Sequence, residues 1–418
     1  MKKIVLSIGM IIGFLSFSSA QKIHVTFFGS SVCYGASAEN HHGYGWQVFH
    51  SGAIDTTTFI YFNASTGGDN TLKVEKEKRI TKKLLPTNPD IVVIGLSLGN
   101  EGIRTPQDDN GREQILEQYR SRLLSMADSF NSMGIKPVIV NCYTHTYFTD
   151  AHYEYTKRMN RLINTWEYPS INVLGTIDDW SGKWVEGYVG DPWHPNTEGH
   201  KEMSYAIVPS LFEAITKGKK VPEYDWNKSY STVINEKQIE NPISMDIENT
   251  MHSFTLSFRF QVTDDGSIAG FSSNDSNHTI NIKGHTIQYK ELKTIYPKHL
   301  KYWTHVVLSH SYANQKTMLF VNGALIGTVN EQLSPNQIHF GGTASKTELK
   351  DLAVYRSCLN PDEALDLYNK KFIQSSLEIY SPLTKPIEGK TVENKAQSMA
   401  NLEISKYIKI ECTDIELY

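Results

Sequence analysis

At 418 residues, with 39% hydrophobic and 21% charged residues, the chain is longer than one compact core usually serves, and two domains of ordinary size are expected. The formal charge of −4, more negative once Lys2 and Lys3 are removed, excludes a general nucleic-acid binder. Four cysteines, Cys33, Cys142, Cys358 and Cys412, are too few for a disulfide framework, and four buried or isolated thiols are expected.

Residues 1–20 read as a secretory signal. Lys2 and Lys3 form a basic start, Ile4 to Phe17 an apolar run too short for a bilayer, and Ser18-Ser19-Ala20 a small-residue cleavage site. With no cysteine just after that point and no later apolar run of spanning length, a secreted or periplasmic protein is expected, with no lipid anchor and no membrane span.

From 21 to 217, short apolar runs alternate with amphipathic stretches, the pattern of an α/β domain built on a mainly parallel sheet. Five strands are expected at Ile23–Phe28, Phe59–Phe62, Ile91–Ile94, Val138–Val140 and Ile171–Leu174. Ile115, Tyr119, Leu123, Met126, Ala127 and Phe130 recur at helical spacing, stopped by Gly134 and Pro137. Helices are also expected over Tyr153–Trp166 and Thr197–Ile215.

Residues 218–232 are charged, aromatic and turn-rich around Pro222, a linker pattern. From 233 to 418 short alternating segments dominate, including Ser253–Phe260, Thr304–Ser309 and Thr317–Val321. Asn322-Gly323 after the last of these signals a two-residue hairpin, and the whole an all-β sandwich. Asn360, Pro361 and Glu363 form a capping-box start for one helix.

Four short blocks carry the chemistry. Gly29-Ser30-Ser31 follows the first strand, Gly67-Gly68-Asp69 the second, Gly99-Asn100-Glu101 the third, and Asp191-Pro192-Trp193-His194 precedes the final helix of this half. Open α/β sheets place ligands at the carboxyl edge of their strands, which is where Ser31 falls. A serine hydroxyl is a poor nucleophile unless a base takes its proton. His194 is the candidate base and Asp191, three residues earlier, its orienting carboxylate. The Ser31 and Gly68 N–H groups and the Asn100 amide are the candidate donors to a developing oxyanion. His200, in a helix and without an acid three residues before it, reads as a helix-surface residue. His41, His42, Tyr44, Trp46 and Trp193 are candidates to line the substrate cleft. No His/Cys/Asp/Glu cluster has metal-ligand spacing, and no cofactor is expected.

These blocks resemble those of the SGNH hydrolase (GDSL-like esterase) superfamily. The resemblance covers about residues 22–217 and implies a three-layer, flavodoxin-like α/β domain in which Ser31, His194 and Asp191 are catalytic and Ser31, Gly68 and Asn100 form the oxyanion hole. Ser30 and Glu101 stand where that family usually has aspartate. The second half resembles concanavalin A-like, laminin-G-like jelly-roll sandwiches through Phe254–Ser257, Trp303–Val306, Leu319–Gly323, Ile338–Gly342 and Leu349–Tyr355, with Trp303 and Phe340 expected in its core. Tyr380–Leu383 resembles the strand that often opens such domains, here closing one. Together the resemblances imply an exported serine esterase acting on acyl, most simply acetyl, esters of carbohydrate, with a second domain of the sort that commonly binds glycan. A non-catalytic binding or adhesion protein on a degenerate hydrolase scaffold is the alternative that Ser30 and Glu101 favour, and a long-chain lipase or thioesterase would share the same machinery.

Overall fold

The computed structural model describes residues 22–224, 232–234, 242–261, 264–296, 303–344, 347–383 and 390–405. The expected signal segment and Cys412 lie outside these residues. Among them Cys33, Cys142 and Cys358 are buried free thiols.

The five expected strands of the first half pair in parallel, in the order β2-β1-β3-β4-β5. They are β1 (Ile23–Gly29), β2 (Phe59–Asn63), β3 (Ile91–Gly95), β4 (Lys136–Val140) and β5 (Ser170–Ile171). Side chains alternate across the sheet. Ile91 and Val93 of β3 enter one core with Val25 and Phe27, and Val92 and Ile94 enter the other with Phe28. The second core is covered by the two helices α4 (Asp109–Ser132) and α5 (Asp150–Ile163). Tyr119, Leu123, Ala127 and Phe130 of α4 are fully buried there. On the opposite face lie α2 (Tyr44–His50), α7 (Thr197–Ser204) and α8 (Leu211–Thr216). The short helices α1 (Ser31–Tyr34) and α3 (Thr71–Lys76) follow β1 and β2, and α6 (Leu174–Ile177) follows β5.

Two expectations need correction here. The helix expected over 197–215 is two helices, because Pro209 lacks an N–H and restricts Val208 before it, so the chain turns before α8 begins. The strand expected over 171–174 ends at Ile171. Its free edge is taken by the second half of the chain: Ser376 N–H donates to Ser170 O at 3.0 Å and the Asn172 N–H to Ser376 Oγ at 2.7 Å.

The second half is strand-rich; its described residues form two antiparallel sheets of seven and eight strands packed over one apolar core. In the strand Phe254–Gln261 the residues Phe254, Leu256, Phe258 and Phe260 face that core. Thr255, Ser257 and Arg259 on its other face are also buried, because a further layer covers this sheet. Arg259 donates to the Leu367 and Tyr368 carbonyls of α9 (Pro361–Tyr368), and Ser257 bonds His305 at 2.9 Å. Asn322 and Gly323 adopt φ of 50° and 79° between the strands Lys316–Val321 and Ala324–Asn330, the signature of a type I′ turn. Asn360 and Glu363 form the expected capping box. Leu377–Ser381 pairs with Thr347–Tyr355. Phe340 is in the core, but Trp303 is only half-buried, with the Lys350 ammonium 4.2 Å from its ring centroid.

The two halves interlock. Arg161 of α5 makes a two-pronged pair with Asp366 of α9, and Lys157 pairs with Asp362. Asn314 donates to Asp178 O at 2.7 Å, and His252 bonds Glu202 of α7 at 2.8 Å while stacking on Tyr312. Even the start of the linker stretch is tied down, through Lys219 to the Asn394 and Ser398 carbonyls.

The backbones pass very close where β1 meets β3. A β-carbon on Gly29 would fall 2.2 Å from the Gly95 carbonyl oxygen, a clash that only backbone movement relieves. Gly29→Ala is expected to cost about 3 kcal/mol or more. Urea unfolding of the purified variant measures this, and a wild-type midpoint would contradict it.

Candidate active site

Gly29 ends β1, and the chain turns at once into α1, whose first residue is Ser31. Ser30, fully buried, bonds the Tyr143 hydroxyl at 3.0 Å, while its N–H donates to Gly95 O. This fixes the turn from behind, so a serine at position 30 has a structural partner.

His194 reaches Ser31 from far along the chain. Its Nε2 lies 2.9 Å from Ser31 Oγ, and its Nδ1 lies 2.9 and 2.8 Å from the two oxygens of Asp191. Asp191 and His194 face each other across a two-stranded ladder, β6 (Val189–Asp191) with β7 (His194–Pro195). Asp191 also accepts from the Trp193 N–H at 2.8 Å and the Ser37 hydroxyl at 2.6 Å. Partial burial pushes its carboxyl up, but the Ser37, His194 and Trp193 bonds outweigh it, so the carboxyl lies below its ordinary range. An ionised carboxylate only accepts, so the proton between the two residues sits on Nδ1, and the Nε2 lone pair faces the serine hydroxyl.

The other two blocks border Ser31 because β2 and β3 flank β1. Gly68, with φ of 73°, occupies a tight turn closed by Asp69 N–H to Thr66 O at 3.2 Å, and Thr66 N–H donates to Gly29 O at 2.9 Å. A side chain at 68 would be strained at that φ. Asn100 lies in a short 3-10 turn, Leu98–Glu101. Glu101 anchors it: its two carboxylate oxygens accept from the Thr71 N–H at 2.6 Å and the Thr71 hydroxyl at 2.9 Å, and Asn70 donates to Asn100 O. Glu101 therefore caps α3 and ties the Asn100 turn to the segment after Gly68.

Of the expected cleft residues, Trp193 is 39% exposed beside His194. Tyr44 is not a cleft residue: it is fully buried in α2, its hydroxyl packed beside Gly95. Among the described residues, His42 and Trp46 have no hydrogen bond or ring contact with Ser31, Asn100 or His194. Trp46 stacks between His42 and His50, at 3.5 and 3.8 Å. The exposed His41 ring lies 4.7 Å from Tyr34, one turn beyond Ser31. His200 is not on a surface. It is fully buried, bonds the Ala36 carbonyl at 3.1 Å, and is pushed down by burial to about 4, so it stays neutral and holds the loop that brings Ser37 to Asp191.

Two supporting residues carried no sequence signal. Ser37, one, lies in an irregular loop. The other is His145, after β4. Its ring lies where a β-carbon on Gly99 would fall, 5.4 Å from the Trp193 ring. It thus wedges the Asn100 turn against the His194 loop. Burial above all, then the charges of Arg104 and His194, push it down to about 3. Among the described residues no group of three or more His, Cys, Asp or Glu side chains is placed to hold a metal ion.

Residues 25–207 match the family model of the GDSL-like Lipase/Acylhydrolase. The match covers under half of the chain, and the N-terminal half is similar to this family of acylhydrolases. No curated protein matches the chain. Among solved structures, one from Bacteroides ovatus ATCC 8483, assigned as carbohydrate binding, is 14% identical, covering 47% of this chain and 62% of its own at a TM-score of 0.36. The chain thus spans under two thirds of that protein. One from Desulfitobacterium hafniense DCB-2, assigned to the lipolytic G-D-S-L family, is 16% identical over 44% of this chain and 97% of its own, with a TM-score of 0.36. A catalytic mutant of an acetylxylan esterase from Geobacillus stearothermophilus is 13% identical over 44% and 91%, with a TM-score of 0.34. At these identities and TM-scores the likenesses carry no argument about activity.

Removing the Ser37 hydroxyl should raise the Asp191 carboxyl toward its ordinary pKa. A lowered carboxylate stabilises the folded state above the ordinary range, about pH 4, and that contribution is lost as pH falls through the folded value. Ser37→Ala is therefore expected to be less stable than wild type at neutral pH, with the gap closing in acid. An NMR titration of Asp191 reads the shift directly, and an unchanged pKa would contradict this role for Ser37.

Proposed function

We propose that the protein is an exported serine esterase that hydrolyses acyl, most simply acetyl, esters carried on carbohydrate. The observation that carries this reading is the chain of hydrogen bonds from Asp191 through His194 to the Ser31 hydroxyl, with the proton on the far side of the imidazole.

In this mechanism Ser31 Oγ attacks the ester carbonyl while its proton passes to His194 Nε2, and Asp191 stabilises the imidazolium that forms. The carbonyl oxygen takes up negative charge and is held by the Ser31 and Gly68 N–H groups and the Asn100 amide, preset so that little reorganisation is needed. Collapse of the intermediate expels the sugar hydroxyl, which receives the proton from His194. Water then repeats the sequence on the acyl-serine: His194 takes its proton, the acid departs, and Ser31 is restored.

Carbohydrate as the alcohol is supported by the exposed Trp193 and Tyr147, aromatic faces of the kind that hold sugar rings. Export rests on residues 1–20, and among the described residues no helix is long and apolar enough to cross a membrane. A glycan bound by the second domain would use the sheet not covered by α9, whose strand Ser276–Lys283 has an exposed outer side. The structural partners of Ser30 and Glu101 remove the ground for reading these residues as signs of a degenerate site.

Ser31→Ala is expected to reduce release of p-nitrophenol from its acetate by about 10⁴-fold or more. Asn100→Ala should lose about 10²–10³-fold in kcat, the usual cost of one oxyanion donor. Equal rates in wild type and Ser31→Ala would remove Ser31 from the mechanism. Acetate release across a panel of acetylated polysaccharides tests the substrate class, and activity confined to long acyl chains would contradict it.

A further inference from the structure

Arg104 carries a positive charge beside Trp193 on the rim of the site, and among the described residues no acidic side chain pairs with it. It follows Asn100 by four residues, next to the fully buried Ile103. Its guanidinium carbon lies 4.6 Å from the Trp193 ring centroid and 5.3 Å from that of Tyr147. The two rings meet edge to face at 5.2 Å, 39% and 50% exposed. The platform is tied to the catalytic loop: Trp193 adjoins His194, and the Thr146 N–H donates to Pro192 O at 3.0 Å.

The nearby carboxylates are committed elsewhere. Asp191 serves His194 and Ser37, and Glu101 serves Thr71. Asp108 caps α4, and Asp109 pairs with Arg112. Among the described residues no carboxylate lies within ion-pair distance of Arg104. Its field still reaches inward, acting with burial to keep His145 neutral. A guanidinium stacked on aromatic rings keeps its N–H edge free, and that planar fork matches a carboxylate with two parallel hydrogen bonds.

We propose that Arg104, Tyr147 and Trp193 form a subsite for a carboxylate-bearing sugar, so that the enzyme prefers acyl esters on acidic glycans such as polyuronides. The carboxylate takes the guanidinium edge, the sugar ring lies on the exposed aromatic surface, and the ester on that ring or its neighbour enters toward Ser31. This rests on the esterase reading above and adds the charge of the substrate to it. Were Arg104 only a clamp holding Trp193, its loss would slow acidic and neutral substrates alike. A recognition role changes the ratio between them.

The test compares kcat/KM for acetate release from an O-acetylated oligogalacturonide and an O-acetylated xylo-oligosaccharide of equal length, with wild type, Arg104→Gln and Arg104→Lys, at low and high salt. Wild type is expected to favour the acidic substrate by about tenfold or more, the usual worth of one charge-assisted contact. That preference should fall toward unity in Arg104→Gln, chiefly through KM of the acidic substrate, persist in part in Arg104→Lys, and weaken in salt. Should Arg104→Gln fail to fold, inhibition of the wild type reads the same subsite: de-acetylated oligogalacturonide should compete more strongly than the neutral oligosaccharide. Equal wild-type rates on the two substrates, or an equal loss on both in Arg104→Gln, would overturn the proposal and leave the esterase reading standing. No acetate release from either substrate or from p-nitrophenyl acetate would overturn both.

Discussion

The proposed chemistry depends on one contact, the 2.9 Å approach of His194 Nε2 to the Ser31 hydroxyl, between residues 163 positions apart. Each partner is held by a different part of the molecule. Ser31 is fixed by the close meeting of β1 and β3, where Gly29 lies against the Gly95 carbonyl and Ser30 is bonded from behind. His194 is fixed by Asp191, which is itself held by Ser37 from a loop pinned by His200. A shift of about an ångström on either side would spoil proton transfer, since such contacts act only within hydrogen-bond reach. The supporting polar groups, though remote from any substrate, therefore belong to the proposed catalytic arrangement.

The second half of the chain takes part in the same support. Its strands form a sandwich, yet one outer face of that sandwich is buried under α9 and pressed against the α/β half. Ser376 takes over the edge of β5, Arg161 reaches across to Asp366, and His252 grips Glu202 on α7, the helix that directly follows the His194 loop. A tethered module swinging on a free linker would not share hydrogen bonds with a strand edge of its neighbour. The contacts make the sandwich a brace for the α/β layer.

Much of this was legible in the sequence because the signals were local. The apolar runs of β1 to β4, the heptad-like recurrence in α4, the Asn322-Gly323 turn and the Asn360/Glu363 cap each depend on a few adjacent residues. The four blocks were readable because strand ends in a parallel sheet converge, so their order along the chain implied their meeting. What escaped was set by distant partners. His200 reads as helix surface until the Ala36 loop closes over it. Thr255, Ser257 and Arg259 alternate with the apolar residues of their strand, and only the covering α9 makes them interior. The end of β5 at Ile171 answers to Ser376, a residue over two hundred positions away. Ser37 and His145 belong to no block, and only coordinates reveal what they hold.

The central claim is that Ser31 is an activated nucleophile. The most direct measurement is labelling of the folded protein by a fluorophosphonate probe, with the modified residue mapped by mass spectrometry. The account predicts one label per chain, on Ser31, lost when His194 is replaced by alanine, since the hydroxyl reacts only when a base withdraws its proton. Absence of labelling, or labelling of Ser31 that persists at full rate without the imidazole, would contradict it.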